Sequence, residues 1–119
     1  MITLTLPWPP SVNKLYAVVN GRKVLSAKGR DYTAEVVRSV ARQTPLTFGR
    51  TRIAYTATAF PPDNRRRDLS NLVKVVEDAL TKAGIWDDDS QVDDFRWIRG
   101  GPAKGGSVFV EIRSAMESA

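Results

Sequence analysis

From Asp68 to Ala83 the residues Leu69, Leu72, Val73, Val76, Ala79, Leu80 and Ala83 recur at helical spacing. At ~100° per residue they fall within ~120° of one another, an apolar stripe that has to be buried. Gly84 supplies the C-terminal stop. Asn71, Lys74, Asp78 and Lys82 share the opposite side. One long helix is therefore fixed by the pattern, with its polar face turned outward, and the other segments must build the surface that covers its stripe.

Those segments read mostly as strands. Ile2-Thr3-Leu4-Thr5-Leu6 alternates apolar and polar residues, and Pro7-Trp8-Pro9-Pro10-Ser11 enforces an extended exit. Tyr16–Val19 and Arg22–Leu25 flank Asn20-Gly21, a pair favoured in two-residue hairpins. Ser26 is placed to cap a second helix, Ala27 to Gln43, whose apolar positions are Tyr32, Val36, Val37 and Val40 and which Thr44-Pro45 ends. Arg52–Phe60 reads as a strand stopped by Pro61-Pro62, and Phe95–Arg99 and Ser107–Ile112 as two more around a Gly-rich turn, Gly100 to Gly106. The tail 114–119 is expected to fray. The pattern predicts a single α+β domain over 1–119, two helices packed on a small mixed β-sheet. That architecture says nothing about function.

Composition excludes more than it suggests. The 119 residues contain no cysteine and no histidine, so disulfides, thiolate or imidazole metal sites and a histidine general base are all ruled out. No apolar run approaches the ~20 residues of a membrane helix, and the first residues lack the basic start of a signal peptide. The cytoplasm is the default compartment. The net charge is +5, unevenly placed: Glu77 to Asp94 holds seven acids and one base, leaving the remainder at +11. A basic body points to a polyanionic partner, and the acidic stretch is either a solvated loop or the metal-holding part of an enzyme of phosphate chemistry.

The informative residues are Arg65-Arg66-Arg67-Asp68-Leu69-Ser70-Asn71-Leu72-Val73-Lys74, followed by Trp86-Asp87-Asp88-Asp89-Ser90-Gln91. Phosphodiester hydrolysis needs an activated water and neutralisation of phosphate charge. Without histidine, the economical route is Mg²⁺ held by two or more carboxylates, with Mn²⁺ as a substitute. Asp68 and Asp89 could anchor the ion, Arg65, Arg66 and Arg67 hold DNA phosphates, and Lys74 stabilise the transition state. Each has a plainer reading. Asp68 could cap its helix, Lys74 could pair with Asp78 at i,i+4, the aspartates could form a solvated turn, and the arginines could serve solubility. Trp8 and Trp97 read as core or interface residues, or as DNA contacts.

Asp-x-x-Asn-x-x-Lys at Asp68, Asn71 and Lys74 resembles the signature helix of the RusA family of Holliday junction resolvases, found in bacteria and their phages. Ala83–Val92 is similar to that family's second block, ending Asp-Asp-x-Gln-Val. Leu6–Asn13 resembles its amino-terminal Leu-Pro-x-Pro-Pro-Ser-x-Asn, and Lys104-Gly105-Gly106 its carboxy-terminal turn. The resemblance implies a Mg²⁺-dependent endonuclease of recombination and repair, a homodimer that cuts two opposed strands of a four-way junction. It implies Asp68 and Asp89, with Asp88 adjacent, as metal ligands, Lys74 as a residue needed for cleavage, and Arg67 as part of the basic run beside the site. Asn71, Lys104, Asn13 and Lys14 complete the expected DNA contacts, the last two from position alone. Some members carry a third aspartate two residues after the first, and here that position is Ser70. Ser70 then contacts the metal through water, Asp87 or Asp88 compensates, or activity is weak or absent. Two alternatives stand beside the enzyme: a junction-binding module of the same fold that does not cut, and a protein-interaction factor without a DNA role.

Overall fold

The computed structural model describes residues 1–116, with the side chains of all but Val12 and Asn13. Its elements are β1 (Ile2–Pro7), α1 (Val12–Leu15), β2 (Tyr16–Val19), β3 (Arg22–Leu25), α2 (Ala27–Gln43), β4 (Ile53–Phe60), α3 (Ser70–Lys82), a 3₁₀ turn (Asp89–Gln91), β5 (Val92–Arg99) and β6 (Ser107–Ser114). Four strands form a mixed sheet in the order β1-β6-β4-β5, with β4 and β5 parallel and the other neighbours antiparallel. β2 and β3 make a separate two-stranded ribbon, turned by Asn20 (φ 52°) and Gly21 (φ 74°), as a two-residue hairpin demands. The expected α+β architecture of two long helices on a small mixed sheet is what forms. Only α1 and the 3₁₀ turn go unannounced by the sequence, because each is too short to show a period.

Alternation in β1 buries Ile2, Leu4 and Leu6 against the helices, while Thr3 and Thr5 stay exposed. The same side of the sheet carries Ile53, Tyr55 and Ala57 of β4 and Val108, Val110 and Ile112 of β6, all buried. α2 is capped by the Ser26 hydroxyl, which accepts from the Gly29 N–H (3.1 Å), and it buries Tyr32, Val36 and Val40. Val37 shares that stripe by its spacing, yet it is 38% exposed on the helix shoulder. α3 buries Val75, Val76, Ala79 and Leu80, whereas Leu69, Leu72, Val73 and Ala83 are only half-buried. The shift toward Val75 arises because α1 and α2 both pack against α3, widening the covered face beyond the stripe. β6 runs to Ser114, and the Ala115 N–H donates to the Arg52 carbonyl (2.8 Å). Fraying therefore does not begin at Ser114 as expected, and residues 117–119 lie outside the described residues.

The end of α3 sets the course of the acidic segment. Gly84 takes a left-handed conformation (φ 79°). Its N–H donates to the Thr81 carbonyl (3.0 Å) and the Ile85 N–H reaches back to Leu80 (3.3 Å), the paired bonds of a Schellman stop. The reversal drives Ile85 and Trp86 into the core, both fully buried, and the Trp86 indole donates to the Thr81 hydroxyl (2.7 Å). Asp87, Asp88 and Asp89 thus leave the core as a fixed turn rather than a loose loop.

Candidate functional site

Gln91 makes that acidic turn rigid. It is buried, its Oε1 accepts from the Asp87 N–H (2.9 Å) and the Asp88 N–H (2.7 Å), and its Nε2 donates to the carbonyls of Gly49 (2.7 Å) and Thr51 (2.9 Å). All its hydrogen-bonding capacity is used, as burial of an amide requires. Asp88 caps the 3₁₀ turn, its Oδ1 accepting from the Ser90 N–H (2.9 Å). The Ser90 backbone and hydroxyl bonds hold the Asp88 carboxyl below its ordinary range.

α3 meets this turn through Lys74. Its ammonium donates to Asp89 Oδ2 (2.8 Å) and lies 3.1 Å from Asp78 Oδ1, so the anticipated i,i+4 pair and the link to the acidic turn exist together. Bonds to Asp89 and then Asp78 raise the Lys74 pKa well above its usual value, keeping it cationic. The Tyr16 hydroxyl, from β2, donates to Asp78 Oδ2 (3.3 Å). Behind the cluster, Glu77 accepts from the Tyr55 hydroxyl (2.5 Å), and Tyr55 in turn receives the Trp97 indole N–H (3.0 Å). Burial raises the Glu77 carboxyl above its ordinary range, and the negative charges of Asp89 and Asp78 push in the same direction. The cluster therefore retains surplus negative charge despite Lys74. Lys74, Asp78, Asp87, Asp88 and Asp89 line one cavity of ≈ 390 Å³.

A second groove, ≈ 660 Å³, lies between the Trp8–Ser11 segment and Arg65, Arg66 and Arg67, with Asp68 and Asn71 in its wall, and it adjoins the first cavity at Val75. Asp68 does not cap α3. The capping position is Leu69, and no side chain bonds the helix start. The arginines are unequal. Arg67 is fixed by Asp63 Oδ1 (2.7 Å) and its carbonyl accepts from Arg99 (2.7 Å). Arg65 lies 3.6 Å from the same carboxylate. Arg66 is exposed and makes no ion pair among the described residues. Arg67, with the Arg65 N–H, lowers the Asp63 carboxyl to about 2.

The structure brings Lys74, Asp89 and Asp88 together, and it sets Ser70, Asn71 and Lys74 along one depression on α3. Asp68 and Asp89 line separate cavities, and these adjoin at Val75 of α3. Among the described residues no three acidic side chains form a metal cage on their own. Lys14 and Lys104 are exposed, on α1 and on the turn before β6. Asn13 belongs to α1, and its side chain is outside the described ones. Trp97 is half-buried and packs edge-on to Tyr55 (6.4 Å between ring centroids), and Trp8 is half-buried against the core. Sequence reasoning missed Asp63, Tyr16, Glu77 and the pinning role of Gln91. Asp63 stands four residues before Arg67 and carried a readable signal. The others are joined only by folding.

A lysine-bridged carboxylate cluster, beside an arginine-lined groove on a basic α+β domain, has the make-up of a nuclease. Residues 7–113 match the family described as Endodeoxyribonuclease RusA. The protein named crossover junction endodeoxyribonuclease RusA in Escherichia coli strain K12 is 42% identical over 111 residues, 92% of each chain, as is that of Shigella sonnei. The protein of the same name from Enterobacteria phage 82 is 43% identical over 110 residues, 92% of this chain and 91% of its own. The chain belongs to the RusA endodeoxyribonuclease family, as its motifs implied.

Proposed function

We propose that this chain is a Mg²⁺-dependent endonuclease that resolves four-way DNA junctions by paired symmetric nicks, working as a homodimer in recombination and repair. The observation that carries the reading is the Lys74–Asp89 pair at 2.8 Å, which ties the acidic turn to the helix that bears Ser70 and Asn71 and begins just after Asp68. The donor set suits Mg²⁺: all hard oxygens, surplus negative charge, and few enough carboxylates to leave room for water and substrate phosphate. Asp89 and Asp68 would hold the ion, with Asp88 and Ser70 contributing directly or through water, and the bound ion would supply hydroxide near neutral pH and polarise the phosphate.

The chain's own residues do the rest. Lys74 is held cationic between two carboxylates, within reach of charge developing on the phosphate. Arg66 is free to take a backbone phosphate, Arg65 and Arg67 add charge beside it, and Lys104, Lys14 and Asn13 would extend the contact along the strand. Asn71 lies between the two cavities. Twofold symmetry would present a pair of such sites to opposed strands of the junction.

The test is a labelled four-way junction and a matched linear duplex, incubated with Mg²⁺ or EDTA. Paired nicks in the junction that EDTA abolishes are expected. Asp68→Asn and Asp89→Asn should each lower cutting about 100-fold or more while leaving junction binding. Cutting that survives both substitutions overturns the site assignment. Junction binding without cutting, by the unsubstituted chain, would favour the binding-module reading that Ser70 motivates, and Ser70→Asp would then be expected to restore nicking.

A further inference from the structure

We infer that the groove between Trp8 and the start of α3 is a nucleobase pocket, taking one base of the strand to be cut, extruded at the branch point. The inference rests on the reading that this chain cuts branched DNA. At ≈ 660 Å³ the groove has room for a nucleotide. Its walls are chemically divided. Trp8, Pro9 and Pro62 give an apolar side, Arg66 a cationic rim, and Asn71 an amide. A phosphate alone has no use for an aromatic and proline wall, whereas a nucleotide uses both halves.

Trp8 is held as a platform. A Cβ on Gly106 would lie 2.9 Å from Trp8 Cβ and 2.9 Å from Pro62 Cδ, so the root of the Trp8 side chain packs closely against that glycine. The Arg67 guanidinium lies over one face of the indole, 5.9 Å from the ring centroid, and is itself fixed by Asp63 (2.7 Å), so a base would stack on the opposite face. A ring immobilised in this way loses little entropy when a base stacks on it, and every base offers a π face. The Asn71 side chain has no hydrogen bond within the chain among the described residues, which leaves donor and acceptor for a base edge. Asp68 lines the same groove, so the base held here adjoins the phosphate that Asp68 serves. Extruding a base costs least where its pairing or stacking is already weakened, and stacking is interrupted at a branch point. Stacking on Trp8 would therefore favour branched over linear DNA, and Asn71 would bias which base flanks the cut.

A cycle of Trp8→Leu against single abasic positions near the branch point tests this, with junction binding measured in EDTA. Leu keeps an apolar seat on Gly106 but removes the stacking face. At one position, base removal and Trp8→Leu should each weaken binding about tenfold and together no more than either alone. Additive losses at every position, with binding retained, would sink the pocket and leave the nuclease reading standing. Absence of junction binding by the unsubstituted chain would instead sink the reading beneath it. If Trp8→Leu fails to fold by circular dichroism, Asn71→Ala, at an exposed helical position, replaces it. That variant should flatten the preference for the flanking base, and an unchanged preference overturns the proposal.

Discussion

Asp63 shows how much a single charge governs in a basic surface. Arg67 donates to it and the Arg65 N–H caps it, so its carboxyl titrates at about 2 rather than near the ~3.9 of a free aspartate. A folded pKa below the unfolded value stabilises the fold above the unfolded pKa, and that contribution is lost as pH falls from ~3.9 toward the folded value. The Asp63 carboxylate is open to solvent, so the effect is modest. The stability difference between the parent chain and Asp63→Asn should be present at about pH 5 and vanish below about pH 2. A denaturation series across that range checks it, and a difference independent of pH would show that Asp63 acts through something other than its charge. The same pairing explains why Arg65, Arg66 and Arg67, alike in sequence, differ in freedom. One carboxylate engages two of them and leaves Arg66 for a partner.

At the scale of elements, α2 tests whether packing or propensity decides. Gly29 lies within that helix, where alanine ordinarily gains ~1 kcal/mol. A Cβ at Gly29, however, would lie 2.4 Å from the Leu15 carbonyl oxygen and 2.7 Å from Leu25 Cδ1. The carbonyl is backbone and already accepts from the Ser26 N–H (2.8 Å), so it has little room to retreat. Gly29→Ala should therefore destabilise by ~1–3 kcal/mol, seen as a lower midpoint in thermal or urea unfolding. A raised midpoint would mean that the α1–α2 contact is looser than described. This contact matters to the site because α1 leads into β2, whose Tyr16 reaches Asp78.

At the scale of the whole molecule, charge is segregated by the fold as well as by the sequence. The acidic turn and Lys74 line one cavity along α3 and the arginines the groove next to it, and among the described residues no helix is long and apolar enough to cross a membrane. DNA affinity should fall with salt, each neutralised phosphate adding ~0.9 to the log–log slope. Arg66→Ala should reduce that slope by ~0.9, measured by fluorescence anisotropy across a salt series. An unchanged slope would place Arg66 outside the contact.

Periodicity and punctuation are local properties, and they sufficed for most of the fold. The stripe of α3, the Ser26 cap, the Asn20-Gly21 turn and the alternation of β1 each appear where their residues dictate, because each depends on neighbours a few positions away. The motif residues Asp68, Asn71, Lys74 and Asp89 were legible for the same reason, as spacings along a helix and a turn. What the tertiary structure alone decided is which of them meet. Lys74 reaches Asp89 because the Schellman stop at Gly84 buries Trp86 and aims the turn back at α3, and because Gln91 pins that turn to Gly49 and Thr51. Asp68 and Asp89 come to line adjoining cavities that share Val75, and Trp8 joins the arginines only because the turn at Gly106 supports it. Such contacts join residues far apart in the chain. They depend on the shape of the packed core, which no local pattern encodes.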